Sequence, residues 1–582
     1  MKKLLCWLTL LCLLAPTLPA LAEADGAHAI AERTVDFYYG DIECVVPHAV
    51  CFIDGSDVPF LALSQWQAIL HDYIGFDSYG AEILADGNLQ FDFSMQGNTG
   101  VPTREDGYTA AFDCDADTIR FLDYDAFLRL RSDDLLTDMV GSLHSTGGDS
   151  VRYFLRTGAS SQRYGREVVL NAADYGIDFI AQDGECYVPM QTLSDFLLAN
   201  YSGCIFWNGE FAVVGPSTTF GTADSLTPIG EKYYSVAPRD RSEAMAQFSY
   251  GELCMALDAL YGMRESHGID DFDGLVEDTG LKADLTGADA VRASAGLYQL
   301  FMLHLDDIHT AFRLPSPLAG VHAADGFGDE LGFGPSRSDF LSQRRLYSDA
   351  RDAARPDGIP GYEEIGNTAF ITPESFQDVP AGVDYYETPP TSEAEDTLGI
   401  MIYAYGQITR KDSPIENVVL DLSLNKGGMA NAAIFTLAAF LGTGAMSTKN
   451  VLTGATVTGS YRIDINLDGK ADEGDLGLKD KNLFCIESPF TFSCANLVSC
   501  AFKASNRVSL LGRASGGGAC FVQSLSTADG ACCQISGAVQ MSFLKNGSFY
   551  DNDRGAEPDL PLLKPKSFYN RKDLAEYING VR

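Results

Sequence analysis

Positive charge is scarce in this chain. Against 80 Asp and Glu residues it sets 41 Lys and Arg, a formal net charge of −39 over 582 residues. So anionic a surface repels phosphate backbones and acidic lipid, which excludes nucleic acid and anionic membrane as partners and favours cations or basic substrates. Long apolar runs are also missing. The run from Leu4 to Leu14 is too short for a membrane span, which needs roughly 18 apolar residues, and no later stretch approaches that length, so no integral membrane segment is expected in the mature chain. Cysteine is sparse, at 14. Cys6 and Cys12 fall within the first 22 residues, and the twelve that remain are far too few for a disulfide scaffold and show no zinc-site spacing. Cys494, Cys532 and Cys533 read as small core residues, although an even number leaves disulfides open. Histidine numbers only eight.

What is present begins with a leader. Lys2 and Lys3, the apolar run and Pro19-Ala20-Leu21-Ala22 have the order of a secretory signal peptide with a small-residue cleavage site. Removing residues 1–22, which hold two lysines and no acid, takes the charge from −39 to −41. The chain is therefore expected to be secreted or to sit in the cell envelope, outside the cytoplasmic membrane. Acids are spread throughout and 46% of residues are apolar, so the chain folds rather than forming an acidic tail. Its length allows about three to five domains of ~100–200 residues.

In the N-terminal half two segments match each other: 57–70, beginning Asp57-Val58-Pro59-Phe60-Leu61, and 187–199, beginning Tyr187-Val188-Pro189-Met190. Each reads as a strand ending in Val-Pro and then a helix. The second continues into 204–214, where Asn208-Gly209 between apolar runs signals a hairpin. That copy resembles the small modules found beside copper amine oxidases and in bacterial wall proteins. Residues 23–235 accordingly read as an accessory region of two related α+β modules, closed by a Ser/Thr/Gly/Pro-rich linker at 215–228. Residues 236–315 turn helical: Phe248, Leu253, Leu257 and Leu260 recur at helical spacing, and 291–305 repeats the habit.

Residues 316–582 carry the chemistry. The apolar run at 483–486, a small turn, and then 495–502 with helical apolar spacing read as strand, turn and helix, placing Ser493 at a helix start. Unpaired amides and the positive end of the helix dipole there favour a developing negative charge. Residues 508–512 read as a further buried strand, and Gly516-Gly517-Gly518 lets backbone approach a ligand closely. A serine before a helix is also the commonest N-cap, so the position alone does not make a nucleophile.

Thr491-Phe492-Ser493-Cys494-Ala495-Asn496, followed by the glycine segment 512–518, resembles the nucleophile and glycine segments of the tail-specific, C-terminal-processing serine peptidase family. Asn496 replaces the usual acid and Gly518 falls where one branch carries a catalytic lysine. The resemblance is therefore to the branch of tricorn protease and the retinoid-binding protein of the eye, in which a distant histidine serves the serine. Leu305-Asp306-Asp307-Ile308-His309-Thr310 is similar to the segment that supplies that histidine, with Ile308 replacing glycine, and implies His309 as general base. Imidazole suits the task because it titrates near neutrality while a serine hydroxyl does not. Asp421-Leu422-Ser423-Leu424-Asn425-Lys426-Gly427-Gly428 is similar to the family's strand and glycine turn; by that resemblance the amides of Gly428 and Cys494 form the oxyanion hole. Residues 551–559 resemble the family's terminal segment. The expected glutamate falls on Asn552, so Asp553 or Asp551 stands in as the acid, with Asp553 carried into the catalytic set. About 50 residues separate Phe312 from Tyr362, short of the roughly 80 a PDZ domain needs, so recognition of a free C-terminus has no evident carrier.

Asp464-Ile465-Asn466-Leu467-Asp468-Gly469-Lys470-Ala471-Asp472-Glu473-Gly474-Asp475 matches a calcium loop, with Asp464, Asn466, Asp468, the Lys470 carbonyl, Asp472 and Asp475 as ligands. A single loop excludes a dockerin, which needs two. No cofactor is expected for catalysis.

The resemblance implies an α/β catalytic core, a ClpP/crotonase-like sheet with helices, behind the helical subdomain and the two N-terminal modules. It implies a serine peptidase that hydrolyses protein or peptide substrates through an acyl-enzyme. Asn496, Ile308 and Asn552 keep a second reading open: a secreted binding or scaffolding protein on a peptidase-derived fold.

Overall fold

In the computed structural model, which describes residues 27–76, 78–130, 150–162, 165–222, 225–321, 327–328 and 330–581, six strands form the sheet that carries the candidate site. They are, in order, Tyr362–Ile365, Thr368–Ile371, Asn417–Asp421, Asn482–Glu487, Val508–Gly512 and Leu560–Pro561. All neighbours pair parallel except the first two, which form a hairpin. Parallel strands are covered on both faces and so read as continuous apolar runs. Asn417–Asp421 is buried at every residue. Val418 and Leu420 pack under the helices Thr397–Thr409, Ala430–Leu441 and Cys494–Ser505, while Val419 faces the opposite cluster with Tyr347, Phe568 and Leu574. The expected leader, 1–22, lies outside the described residues. Among them, no helix is long and apolar enough to cross a membrane.

The three expected regions, 23–235, 236–315 and 316–582, share one core. An apolar cluster runs from Phe37 and Trp66 through Leu253 and Phe301 to Phe312, Cys533 and Ile535. Two strands also cross the expected boundaries. Phe154–Gln162, from the accessory region, pairs along its length with Thr456–Ile463, and Ala311–Leu314, after the helices, pairs with Cys532–Ser542. Both belong to a six-stranded antiparallel sheet beside the parallel one. The expected helical subdomain is present as Glu243–Leu260, Phe272–Asp278, Lys282–Leu285 and Ala290–Gln299. Between Leu314 and Tyr362 the main element is the 20-residue helix Pro335–Ala354.

The two related N-terminal segments do not build separate modules. Their Val-Pro strands, Pro59–Ala62 and Glu185–Pro189, lie side by side and antiparallel, with Phe60 opposite Pro189 and Leu61 opposite Val188, inside one seven-stranded sheet. Neither short strand can cover its own edge, and pairing the two copies removes both edges at once. The predicted hairpin is there: Cys204–Trp207 pairs with Ala212–Gly215, and Asn208 Oδ1 accepts from the amides of Glu210 and Phe211. The expected linker is tied down at its start, where the Ser217 amide donates to Ser524 Oγ and the Ser217 carbonyl accepts from Cys532 Sγ.

One buried ion pair holds the C-terminal helix Arg571–Gly580 to the sheet. Arg571 Nη2 lies 2.8 Å from Asp421 Oδ2, with both side chains 2% exposed, and Nε lies 3.1 Å from Glu363. Breaking a buried pair strands a charge and costs about 3–5 kcal/mol. Arg571→Met is expected to lower stability by that amount in denaturant unfolding, and Asp421→Asn in the same chain to restore part of it; a loss below ~1 kcal/mol would show that the pair does not anchor the helix.

Candidate active site

Ser493 joins the buried strand Asn482–Glu487 to the helix Cys494–Ser505, as the strand–turn–helix pattern predicts. Its backbone sits at φ 56°, ψ −127°, a region that costs a residue with a side chain roughly 1–3 kcal/mol and persists only when the surroundings impose it. They do so here through two glycine segments. A Cβ on Gly427 would lie 2.7 Å from Ser493 Cβ and 2.9 Å from the Cys494 amide, and a Cβ on Gly518 would lie 2.9 Å from the Ser493 amide. That amide donates to the Gly517 carbonyl at 2.8 Å. The serine side chain makes no cap hydrogen bond, so its hydroxyl is not spent on its own helix.

The glycine turn is held by Asn425. Its Oδ1 accepts from the Gly427 amide at 2.8 Å, its Nδ2 donates to the Pro373 carbonyl, and its own carbonyl accepts from the Phe492 amide. On the other side the Met429 amide donates to the Phe376 carbonyl at 2.8 Å, beside a parallel bridge between Phe376 and Gly428. The Gly428 N–H lies against the Cys494 side chain. The Cys494 amide is in the first turn of its helix, where donors lack intrahelical acceptors. A side chain at 427 would close the space beside Ser493 and the Cys494 amide.

His309 reaches the same place from the far end of the six-stranded sheet. Its ring packs on Phe492, the residue before Ser493, with ring centres 4.6 Å apart. The loop carrying it is bolted at several points. The His309 carbonyl accepts from Gln534 Nε2 at 2.7 Å, and the Thr310 hydroxyl accepts from the Ser536 amide. Arg337, in the first turn of Pro335–Ala354, donates through Nη2 to the carbonyls of Asp307 at 2.8 Å and of Thr310. Asp306 caps that helix through the amides of Ser336 and Arg337, and Phe340 one turn on packs against both Phe490 and Phe492. One helix thus registers the histidine loop against the serine turn. Burial pushes the His309 pKa below its ordinary value; the Asp307 carboxylate opposes the shift and the Arg337 guanidinium reinforces it. A neutral imidazole, the form that accepts a proton, is the result.

The acid carried into the set is placed differently. Asp553 Oδ1 accepts from the amides of Gly518 and Ala519 at 3.0 and 3.2 Å, so it fixes the glycine segment that braces Ser493. The carboxylate acting on the imidazole is Asp307, whose Oδ1 accepts from the His309 amide and Oδ2 from the Thr310 hydroxyl. His309 Nδ1 is itself buried without a hydrogen-bond partner. Asp551 accepts from the Asp553 amide and pairs with Arg554 at the surface. Asn496 and Asn552, at the two positions where acids were expected, are buried against each other: Asn496 Nδ2 donates to the Asn552 carbonyl at 2.8 Å and its Oδ1 accepts from Ser515. Asp307 was within reach of the sequence, two residues before His309, and Asn425 stands in the glycine-turn motif; Arg337 carried no signal. A cleft of about 930 Å³ opens next to the glycine segment, lined by Ala519 and Asp553 together with Tyr261, Lys449, Gln540 and Tyr550.

In the acidic loop, Asp464 accepts from the amides of Asp468 and Gly469, Asn466 from that of Asp468, and Asp468 from that of Lys470. Asp475 closes the loop by accepting from the amides of Ile465, Asn466 and Asp472. Among the described residues no group of three or more His, Cys, Asp or Glu side chains is gathered to hold a metal ion.

Residues 399–562 match peptidase family S41. No curated protein matches the chain significantly. Among solved structures, the photosystem II D1 C-terminal processing protease is similar at 16% identity, over 34% of this chain and 43% of that one, with a TM-score of 0.25. A lipoprotein from Streptococcus agalactiae is similar at 19% identity, over 40% of this chain and 75% of that one, also at 0.25. The chain thus aligns with less than half the length of the first of these.

The Arg337 contacts yield a direct test. In histidine-labelled protein followed by NMR, His309 is expected to titrate below the ordinary imidazole value of about 6.5, and Arg337→Met to move the midpoint upward. Equal midpoints in the two proteins would mean that Arg337 does not act on the imidazole.

Proposed function

We infer, from the membership of residues 399–562 in peptidase family S41, that this chain is a serine peptidase acting on protein or peptide substrates. The observation that carries the reading is the forced backbone of Ser493, held at a helix start between Gly427 and Gly518 with His309 packed on the adjoining Phe492. In the proposed reaction neutral His309 takes the hydroxyl proton as Ser493 Oγ attacks the scissile carbonyl. The Gly428 and Cys494 amides receive the oxyanion, a contribution commonly worth about 10²–10³ in rate per donor. The imidazolium returns the proton to the leaving amine, and water then hydrolyses the acyl-enzyme by the same route. Asp307 stabilises the imidazolium through space, and Asp553 keeps the glycine segment in position. Residues 1–22 would direct the enzyme out of the cytoplasm.

Labelling by a fluorophosphonate and turnover of an unfolded protein substrate test this assignment. Ser493→Ala and His309→Ala are each expected to lower turnover by roughly 10⁴- to 10⁶-fold, and Ser493→Ala to abolish labelling. Full turnover in either variant overturns it. A parent protein that neither labels nor cleaves is instead the binding protein, a reading the partnerless His309 Nδ1 favours.

We further propose that the loop 464–475 takes a calcium ion. The Asp464, Asn466 and Asp468 side chains supply the support, spaced at alternate residues before Gly469 at φ 84°. Asp475 is shorter than the usual glutamate, which places the affinity in the extracellular range of roughly 10⁻⁴–10⁻³ M. Calorimetric titration of chelator-treated protein to several times that concentration is expected to show binding heat that Asp464→Ala with Asp468→Ala removes. No heat, or the same heat in the double variant, leaves an acidic turn held by its own amides.

A further inference from the structure

Twelve cysteines are present among the described residues, and only Cys114 and Cys186 have sulfurs in contact, at 3.4 Å. They come from two different sheets. Cys114 follows the strand Ala110–Asp113 of the five-stranded antiparallel sheet, in a turn where its amide donates to the Asn98 carbonyl. Cys186 lies in Glu185–Pro189, an interior strand of the seven-stranded sheet, with Ala181 opposite it on one side. The sheets can meet so closely because the strand crossing above Cys186 has a glycine there. A Cβ on Gly100 would stand 2.6 Å from Cys186 Cβ and 3.1 Å from its Sγ. Cys114 is partly exposed and Cys186 is buried.

We propose that Cys114 and Cys186 form a disulfide that clamps the two N-terminal sheets together. From 3.4 Å the sulfurs need to close by about 1.4 Å to reach the bonded distance of about 2.05 Å. Cys114, in a turn, is the partner with room to move. The oxidant is a small-molecule disulfide such as oxidised glutathione. The Cys114 thiolate attacks it, giving a mixed disulfide and releasing one thiol; the Cys186 sulfur then displaces the second thiol as its own proton leaves. Two protein thiols are oxidised and one disulfide is reduced to two thiols. Cys114 initiates because it is accessible, whereas contact with Cys114 and burial raise the Cys186 pKa and suppress its thiolate.

The bond has a structural purpose that the covalent map makes plain. Cys114 and Cys186 are 72 residues apart in the chain, and the segment between them contains Phe154–Gln162, the strand that pairs with Thr456–Ile463 of the peptidase half. That strand is exposed along nearly its whole length, so little apolar burial holds it in place. Closing the loop lowers the entropy of the unfolded chain and so favours the paired state.

The test uses the full chain without its leader, equilibrated with oxidised or with reduced glutathione. In denaturant, the reduced protein is expected to titrate twelve thiols and the oxidised protein ten, and peptide mapping without reductant to show one linked pair carrying residues 114 and 186. The oxidised protein should melt a few degrees higher than the reduced one, a difference that Cys114→Ser abolishes. Twelve thiols in both conditions, or a link joining either cysteine to a different one, overturns the proposal. Equal melting of the two redox forms overturns the clamp.

Discussion

The backbone of Ser493 is the constraint on which the catalytic half turns. A serine does not rest at φ 56°, ψ −127° unaided, and the chain holds it there by crowding it between two segments without side chains. Each support is itself supported. Asn425 fixes the Gly427 turn, Asp553 fixes the Gly518 segment, and the Ser493 amide is spent on the Gly517 carbonyl. The Cys494 amide lies in the first turn of the following helix, where donors lack intrahelical acceptors and negative charge is favoured. A side chain at 427 or 518 would collide with Phe492 and Ser493.

The base arrives by a longer route. His309 is supplied by the segment that follows the helical subdomain, and its position relative to Ser493 depends on the helix Pro335–Ala354 touching both. Arg337 grips the carbonyls of the histidine loop, while Phe340 packs on the aromatic pair that flanks the serine turn. Carbonyl contacts of this kind are independent of side-chain identity in the loop, Ile308 included. The same guanidinium disfavours protonation of His309. Burial is the larger cause of the lowered pKa, and Arg337 adds to it.

The N-terminal region is part of this assembly, not an appendage to it. Its core is continuous with that of the helical region, Phe312 included, and with Cys533 and Ile535 beyond it, and it lends an edge strand to the sheet that carries the histidine loop.

Local pattern by itself determined the buried strands 417–421, 482–487 and 508–512, the helix after Ser493 and the Asn208-Gly209 hairpin. Each is written in a run of neighbouring residues: continuous apolarity for strands covered on both faces, helical spacing, a turn dipeptide. Spacing between distant motifs likewise pointed to Ser493, His309 and Gly428 through resemblance. Only the tertiary structure decided the remainder. The strand Phe154–Gln162 shows no alternation because both its faces are wet, and its partner lies some 300 residues away. The two Val-Pro segments look like separate modules in sequence, yet unpaired edges drive them into one sheet. Asp553, placed by motif alignment beside the base, spends its carboxylate on backbone amides, and Asp307 and Arg337 act on the imidazole instead. Hydrogen bonds to backbone leave no trace in residue identity, so the parts played by Asp553 and Arg337 could not be read along the chain.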